Sequence, residues 1–317
     1  MDTVAVLLAV YNGAKYLEEQ VESIMHQTYQ NVICYVHDDG STDDSKELLM
    51  ELKEKYPSKM IVLEYPPTGG AKENFLSLLR GRTEPYIMFA DQDDVWLPEK
   101  IEKTLAEMKK IEGDGSTPAL VFTDLKVVDK ELKPIDSSCY KYVGLDPTRV
   151  KYTQLLRAHV GAGCTFMLNN ALASICRQSF DPESAFTMHD QWCMMIASIF
   201  GKISFVDEAT VLYRQHDANV IGATEPSYAS ESLRAKITRN VDLIKSKKFI
   251  ETKTGWTKRV RILALDLLKI ENLPPETRKT LMKLVNLKTK PKIYRIFFYA
   301  KNDILPAKRK DIFLFLV

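Results

Sequence analysis

The string Ala90-Asp91-Gln92-Asp93-Asp94-Val95-Trp96-Leu97-Pro98 places three carboxylates within four positions at the end of an apolar run. Carboxylates held that closely repel one another, a conflict that a bound cation removes. Mg²⁺ or Mn²⁺ takes oxygen ligands and keeps positions open for phosphate oxygens, so one or two of these side chains plus a diphosphate complete an octahedron. An acidic helix start running into Pro98-Glu99-Lys100 accounts for one aspartate and leaves the others unexplained.

Two further polar clusters follow apolar runs: Val10-Tyr11-Asn12-Gly13, and His37-Asp38-Asp39-Gly40-Ser41. A carboxylate at such a position can accept hydrogen bonds from a base imide or a ribose hydroxyl, while Gly40 lets the chain turn and Ser41 is expected to cap the next helix. A plain turn with an N-cap would produce the second string equally well.

The elements that must position these clusters alternate. Apolar, β-rich Val4–Val10, Val32–His37, Met60–Glu64 and Tyr86–Ala90 are separated by helix-period segments at about 15–27, 41–56 and 73–79. Such βαβαβαβ order predicts an α/β fold, a mostly parallel sheet covered by helices on both faces, with ligands beyond the carboxyl ends of its strands. A helix to about Ile111, strand Ala119–Asp124, a loop-rich 125–160, strand Cys164–Leu168, a helix from about Asn170, a helix over Met188–Phe200 and strands Ile203–Phe205 and Thr210–Arg214 are expected next. From about Ser227 the texture becomes Lys/Arg-rich and helical, broken at Pro274-Pro275, Pro291 and Pro306. Gly222, Thr224 and Pro226 mark the change, giving a catalytic domain over 1–224 and a basic helical region over 225–317.

AVYNG, DDGSTDDS and ADQDDVWLPEK, in this order and spacing, resemble the family 2 glycosyltransferases of the GT-A (Rossmann-like) fold. The resemblance runs to about Gly222. It implies that Val10, Tyr11, Asn12, Asp38 and Asp39 lie on the nucleotide side, Asp39 on the base. Gly69-Gly70-Ala71-Lys72-Glu73-Asn74-Phe75 is similar to a segment lining that side, which adds Lys72 and Asn74, and Asp91 and Gln92 complete the set. Asp91 and Asp93 match the D-x-D pair, Asp93 as direct metal ligand and Asp91 as partner to ribose or metal. Met188-His189-Asp190-Gln191-Trp192 resembles the segment carrying the catalytic base, which points to Asp190, although an N-cap at Asp190 is the plainer reading of that string alone. Tyr213-Arg214-Gln215-His216 and the following Asp217–Gly222 are similar to a loop whose histidine, here His216, binds metal or diphosphate. The Q-x-x-R-W motif of the processive synthases is absent, which implies addition of one sugar or a short run.

The resemblance implies a sugar transferred from a nucleotide diphosphate to a hydroxyl, with Mn²⁺ or Mg²⁺ and inversion at the anomeric carbon. FADQDDVW, MHDQW and YRQHDANVIG look most like enzymes that build rhamnose-containing bacterial cell-wall polysaccharides from dTDP-rhamnose on lipid-linked glycan acceptors. UDP-linked hexoses and N-acetylhexosamines stay open as donors, since pocket shape decides between them. A nucleotide-sugar or glycan-binding module without activity is the rival of another class; Asp190 argues against it, because a binder needs no base.

Charge divides the chain. Residues 228–317 carry 22 Lys and Arg against 8 Asp and Glu, net +14, while 1–227 carry 22 against 34, net −12. The acidic part suits a metal site and would repel a nucleic-acid backbone. The basic part suits an anionic membrane surface: Lys288–Arg295 and Ala307–Val317 mix Lys and Arg with Ile, Phe and Tyr, with homo-oligomer contacts as the competing use of those aromatics. Cys34, Cys139, Cys164, Cys176 and Cys193 show no C-x-x-C spacing and are expected to be reduced core residues of a cytoplasmic protein, peripheral on the inner face of the plasma membrane. No run of about 18 apolar residues predicts a membrane span.

Overall fold

The computed structural model describes residues 1–181, 183–184, 188–216 and 247–304, the side chains of 247–256 excepted. The expected division at 224/225, the loop after His216 and the segment 307–317 lie outside the described residues. In chain order the elements are β1 (Val4–Val10), α1 (Ala14–Met25), β2 (Val32–Asp38), α2 (Ser45–Lys55), β3 (Met60–Val62), α3 (Ala71–Leu79), β4 (Tyr86–Asp91) and β5 (Val95–Trp96). There follow α4 (Lys100–Ile111), β6 (Ala119–Val128), β7 (Pro134–Asp136), α5 (Cys139–Val143), α6 (Tyr152–Leu155), β8 (Met167–Asn169), α7 (Asn170–Ser179) and α8 (His189–Phe200). Last come β9 (Lys202–Arg214), α9 (Lys247–Leu268), α10 (Pro275–Val285) and α11 (Lys292–Lys301).

Among the described residues the strands form one sheet in the order β3-β2-β1-β4-β8-β6-β9-β5, with β7 on β6. The first four pair in parallel, as their unbroken apolar runs require of strands covered on both faces. Beyond β4 the sheet is mixed: β8 is antiparallel to β4 and β6, β9 is parallel to β6, and β5 is antiparallel to β9. Because β2 and β4 lie on opposite sides of β1, the order reverses at β1, and a crevice opens where the strands end. The helices cover the sheet by ordinary amphipathic spacing: α1 buries Leu17, Val21 and Ile24 at i, i+4 and i+7, each contributing roughly 1.5–3 kcal/mol.

Three local expectations shift. The helix expected from Ser41 begins at Ser45, because the Ser41 hydroxyl is not a cap: it accepts the Asn12 N–H at 2.8 Å and donates to Asp38. The strand expected over Cys164–Leu168 starts only at Met167, since Gly163–Thr165 forms a 3-10 turn. The two strands expected at 203–205 and 210–214 are one long β9, with register breaks opposite Thr123-Asp124-Leu125.

The chain falls into two compact units. The first comprises Met1–Tyr142, Gly161–Phe180 and Met188–Ala223 and contains the sheet. The second comprises Val143–Val160, Asp181–Thr187 and Thr224–Val317, so it also takes in two segments expected in the catalytic part. Within it Val260, Leu263, Leu267, Leu281 and Leu284 are buried, Pro275 starts α10 at the position where a missing N–H costs nothing, and Gln154 donates to Asp303 at 2.5 Å. All five cysteines are free, Cys139 half-buried and the others buried. Among the described residues no helix is long and apolar enough to cross a membrane.

Candidate active site

Strand register fixes the crevice. Val10 is paired with Asp38 on one side of β1, and Ala9 with Asp91 on the other, so three strands deliver their last residues to one line. The Asp39 N–H donates to the Val10 carbonyl at 2.8 Å, and Asn12, in the left-handed region at φ 49°, accepts the Thr42 N–H at 2.8 Å. These bonds tie the turns after β1 and β2 together.

At the β2 end, Asp38 accepts from the backbone of Gly40 at 3.2 Å and Ser41 at 3.0 Å, which commits it to the turn; Gly40 makes that turn at φ +87°. Asp39, 7% exposed, accepts from the Thr68 N–H, the Thr68 hydroxyl at 2.7 Å, the Gly69 N–H at 3.1 Å and the Gly70 N–H at 2.7 Å. Burial alone would raise its pKa, but these donors hold it below the usual carboxylate value. Asn74 is 2% exposed and bonds His37, its Oδ1 lying 2.8 Å from Nδ1. Gln92 spends both amide atoms on Tyr11, accepting its N–H at 2.6 Å and donating to its carbonyl at 2.8 Å. Both were expected to line the nucleotide side; their side chains are engaged with His37 and Tyr11 at the strand ends. Lys72 pairs with Glu73 at 2.9 Å, and Tyr11 is 56% exposed.

The β4 end is built differently. Carboxylate oxygens of Asp91 and Asp94 and the Cys164 sulfur lie within 4.8 Å of one another. Burial, Asp93 and Asp190 together push the Asp91 pKa up to about 7, which places Asp190 within electrostatic reach of the cluster. Asp94 is fully buried and pushed well above its usual value by burial, then by Asp93 and Asp91; its Oδ2 has no hydrogen-bond partner among the described residues. His216 Nε2 stands 2.8 Å from Asp93 Oδ2. Hard oxygen donors crowded beside an imidazole, one carboxylate oxygen left unpartnered, fit a divalent cation. Of the expected ligands, His216 lies against Asp93, while the donor atoms that lie together are those of Asp91, Asp94 and Cys164.

Two elements bring distant residues here. The 3-10 turn at Gly163 packs on the start of α8 so closely that a β-carbon on Gly163 would lie 2.8 Å from His189 Nε2 and 3.3 Å from the Asp190 β-carbon. Asp190 sits one residue inside α8, whose N-cap is Met188, with its Oδ1 accepting the Gln191 N–H at 2.6 Å; the helix N-terminus favours an anion there. On the other side β5 pairs Val95 with Leu212 of β9, which carries Arg214 and His216 to Asp93 and Asp94.

Arg214 was not anticipated as a site residue. It is 3% exposed, donates through Nε to the Asp93 carbonyl and through Nη1 to the Lys130 carbonyl, both at 2.8 Å, pairs with Glu19, and lies over the Tyr16 ring. Lys100 was missed too. It is fully buried over the Trp96 ring, its ammonium lacks a hydrogen-bond partner among the described residues, and burial pushes its pKa down to about 8 against the pull of Cys164 and Asp94. An arginine ending a β-rich run and a lysine on the inner side of an amphipathic helix were the only signals.

The model of the glycosyl transferase family 2 matches residues 5–176, more than half of the chain, from within β1 through β8. The chain belongs to glycosyl transferase family 2. Within that family it is 27% identical over 243 residues to the dTDP-rhamnosyl transferase RfbG of Shigella flexneri, an alignment spanning 74% of this chain and 79% of that protein. It is 32% identical over 112 residues to the UDP-Glc:alpha-D-GlcNAc-diphosphoundecaprenol beta-1,3-glucosyltransferase WfaP of Escherichia coli, spanning 34% of this chain and 42% of that protein. The fold is similar to that of S. aureus TarS in complex with UDP-GlcNAc, with TM-score 0.57, 18% identity, and 99% of this chain and 89% of that chain covered. This family 2 glycosyltransferase thus has the GT-A architecture that its strand-end motifs imply.

Proposed function

We propose that the protein is an inverting, metal-dependent glycosyltransferase that moves rhamnose from dTDP-rhamnose to a hydroxyl of a lipid-linked cell-wall polysaccharide precursor, on the cytoplasmic face of the membrane. The observation that carries the reaction class is that α8, far away in sequence, sets Asp190 against the turn at Gly163, whose neighbour Cys164 lies with Asp91 and Asp94. Asp39, kept ionised by the 68–70 backbone, is the group suited to orient a base imide. Asp93, His216 and Asp91 would hold a divalent cation, which would supply charge neutralisation for the diphosphate. The Asp190 carboxylate takes the proton of the acceptor hydroxyl as that oxygen attacks the anomeric carbon from the opposite face. One base and one displacement invert the configuration, by analogy with inverting glycosidases.

The likeness to RfbG supports dTDP-rhamnose as the donor, and the likeness to WfaP supports a diphospholipid acceptor. WfaP also supports a second reading, transfer from a UDP-hexose. Nucleotide release from dTDP-rhamnose, UDP-glucose, UDP-galactose and UDP-N-acetylglucosamine, each with Mn²⁺, Mg²⁺ or chelator and a polyprenyl-diphosphate glycan, separates them. The expected result is release from dTDP-rhamnose that chelation abolishes. Release from a UDP-sugar alone favours the second reading, and turnover undiminished by chelator removes the metal from the proposal.

A further inference from the structure

Helix α11, sequence KIYRIFFYAK, belongs to the second unit and uses only part of its apolar surface for packing. Phe298 is buried and Ile296 and Tyr299 half-buried, whereas Ile293 is 83%, Phe297 64% and Tyr294 43% exposed. At 100° per residue, Ile293, Phe297 and Lys301 follow one another at i, i+4 and i+8, with Tyr294 beside Phe297. The outward side is therefore a continuous aromatic and aliphatic stripe closed by a lysine.

Charge around the stripe has one sign. Residues 287–302 contain Lys288, Lys290, Lys292, Arg295 and Lys301 and no Asp or Glu. Lysines before a helix and at its first position oppose the macrodipole, which favours acidic residues there. Lys288, Lys290 and Lys301 are exposed. Lys290 and Lys292, beside and at the helix start, run against that preference, whereas Lys301 stands in the last turn, where the dipole favours a cation.

We propose that this face of α11 docks on an anionic lipid surface. Ile293, Tyr294 and Phe297 enter the boundary between headgroups and acyl chains, while Lys288, Lys290 and Lys301 meet headgroup phosphates. A second copy of the chain fits less well, because a symmetric contact would set one run of positive charge against itself. Vesicle binding needs neither donor nor acceptor, so it stands or falls apart from the transfer reaction.

The test is co-sedimentation of the full chain with vesicles of equimolar phosphatidylglycerol and phosphatidylcholine, against phosphatidylcholine alone. Binding to the anionic vesicles is expected, weakening as salt shortens the range of the attraction. Phe297→Asp is expected to lower partitioning at least about tenfold. Each of Lys288→Gln and Lys290→Gln is expected to lower it about fivefold. All three sites are exposed, so thermal melting and nucleotide release in solution should stay unchanged, which separates lost docking from lost folding. No binding to anionic vesicles at low salt overturns the proposal, as does equal binding by Phe297→Asp. Self-association that Phe297→Asp abolishes, without vesicle binding, makes the face an interface between copies and overturns it too.

Discussion

Asp39 follows β2 and Asp91 ends β4, strands that flank β1 on either side, yet the fold surrounds their carboxylates in opposite ways. Asp39 collects backbone and hydroxyl donors from Thr68, Gly69 and Gly70 and is held ionised. Asp91 has Asp93, Asp94 and Asp190 for neighbours, and burial and repulsion drive it toward protonation. One residue type thus serves two ends of a substrate. A carboxylate already supplied with donors can orient a neutral, hydrogen-bonding group, whereas carboxylates short of donors demand positive charge.

If that division is right, changes at the β4 end should alter chemistry and cation dependence, and changes at the β2 end should alter nucleotide affinity. Asp190→Asn gives the largest expected effect. The amide keeps the shape but cannot take the acceptor proton, so turnover should fall by about 10²–10⁴-fold while donor affinity holds. Single-turnover rates together with calorimetric binding of the donor check this, and a variant with unaltered turnover removes Asp190 as base.

The strand ends were readable in the sequence because the N-terminal elements are local: apolar runs of strand length, helix-period segments between them, and polar strings at each junction. That sufficed to place Asp39, Asp91 and Asp93 beyond the carboxyl ends of a sheet. The mixed half was less legible. β8 and β9 reach their partners across long sequence separations, so nothing near Arg214 announces that β5 will draw it against Asp93. Asn74 and Gln92 stand in the expected strings, but motif position does not reveal that their amides are consumed by His37 and Tyr11.

Lys100 sharpens the contrast, since the β4 end contains buried positive charge of its own, Lys100 as well as Arg214. Lys100→Met removes a buried positive charge that attracts Asp94 without a hydrogen bond to it and is expected to lower stability without metal, a denaturant midpoint being the measurement. Mn²⁺ should recover part of the loss in this variant. Equal losses with and without Mn²⁺ would show that Lys100 acts by packing alone.

At the β2 end the expected effect is smaller. Asp39→Asn keeps the size but turns one oxygen into a donor facing the donors of residues 68–70, which costs about 1–3 kcal/mol when a buried group is left unpaired. Nucleotide affinity should weaken about tenfold, with little change in the metal concentration giving half-maximal rate. A variant that shifts metal dependence instead would erase the distinction between the two ends.

The last expected effect is a slope with pH. The folded-state pKa of Asp91 is raised from 3.8 to about 7, so between those values the folded chain binds more protons than the unfolded one. Stability from this group is fully present below the unfolded value and is lost as pH rises through about 7. In chelator, the melting temperature should therefore decline across that window. A cation on the ionised carboxylates replaces the proton, so saturating Mn²⁺ should flatten the decline, and Asp91→Asn should flatten it without metal. Asp39, whose folded pKa is lowered, contributes the opposite sign: its stability is present above the unfolded value and fades as pH falls through the folded one. Melting curves of Asp91→Asn and Asp39→Asn across the two windows then report each end separately, and a shared response would mean that the two carboxylates do not titrate as independent sites.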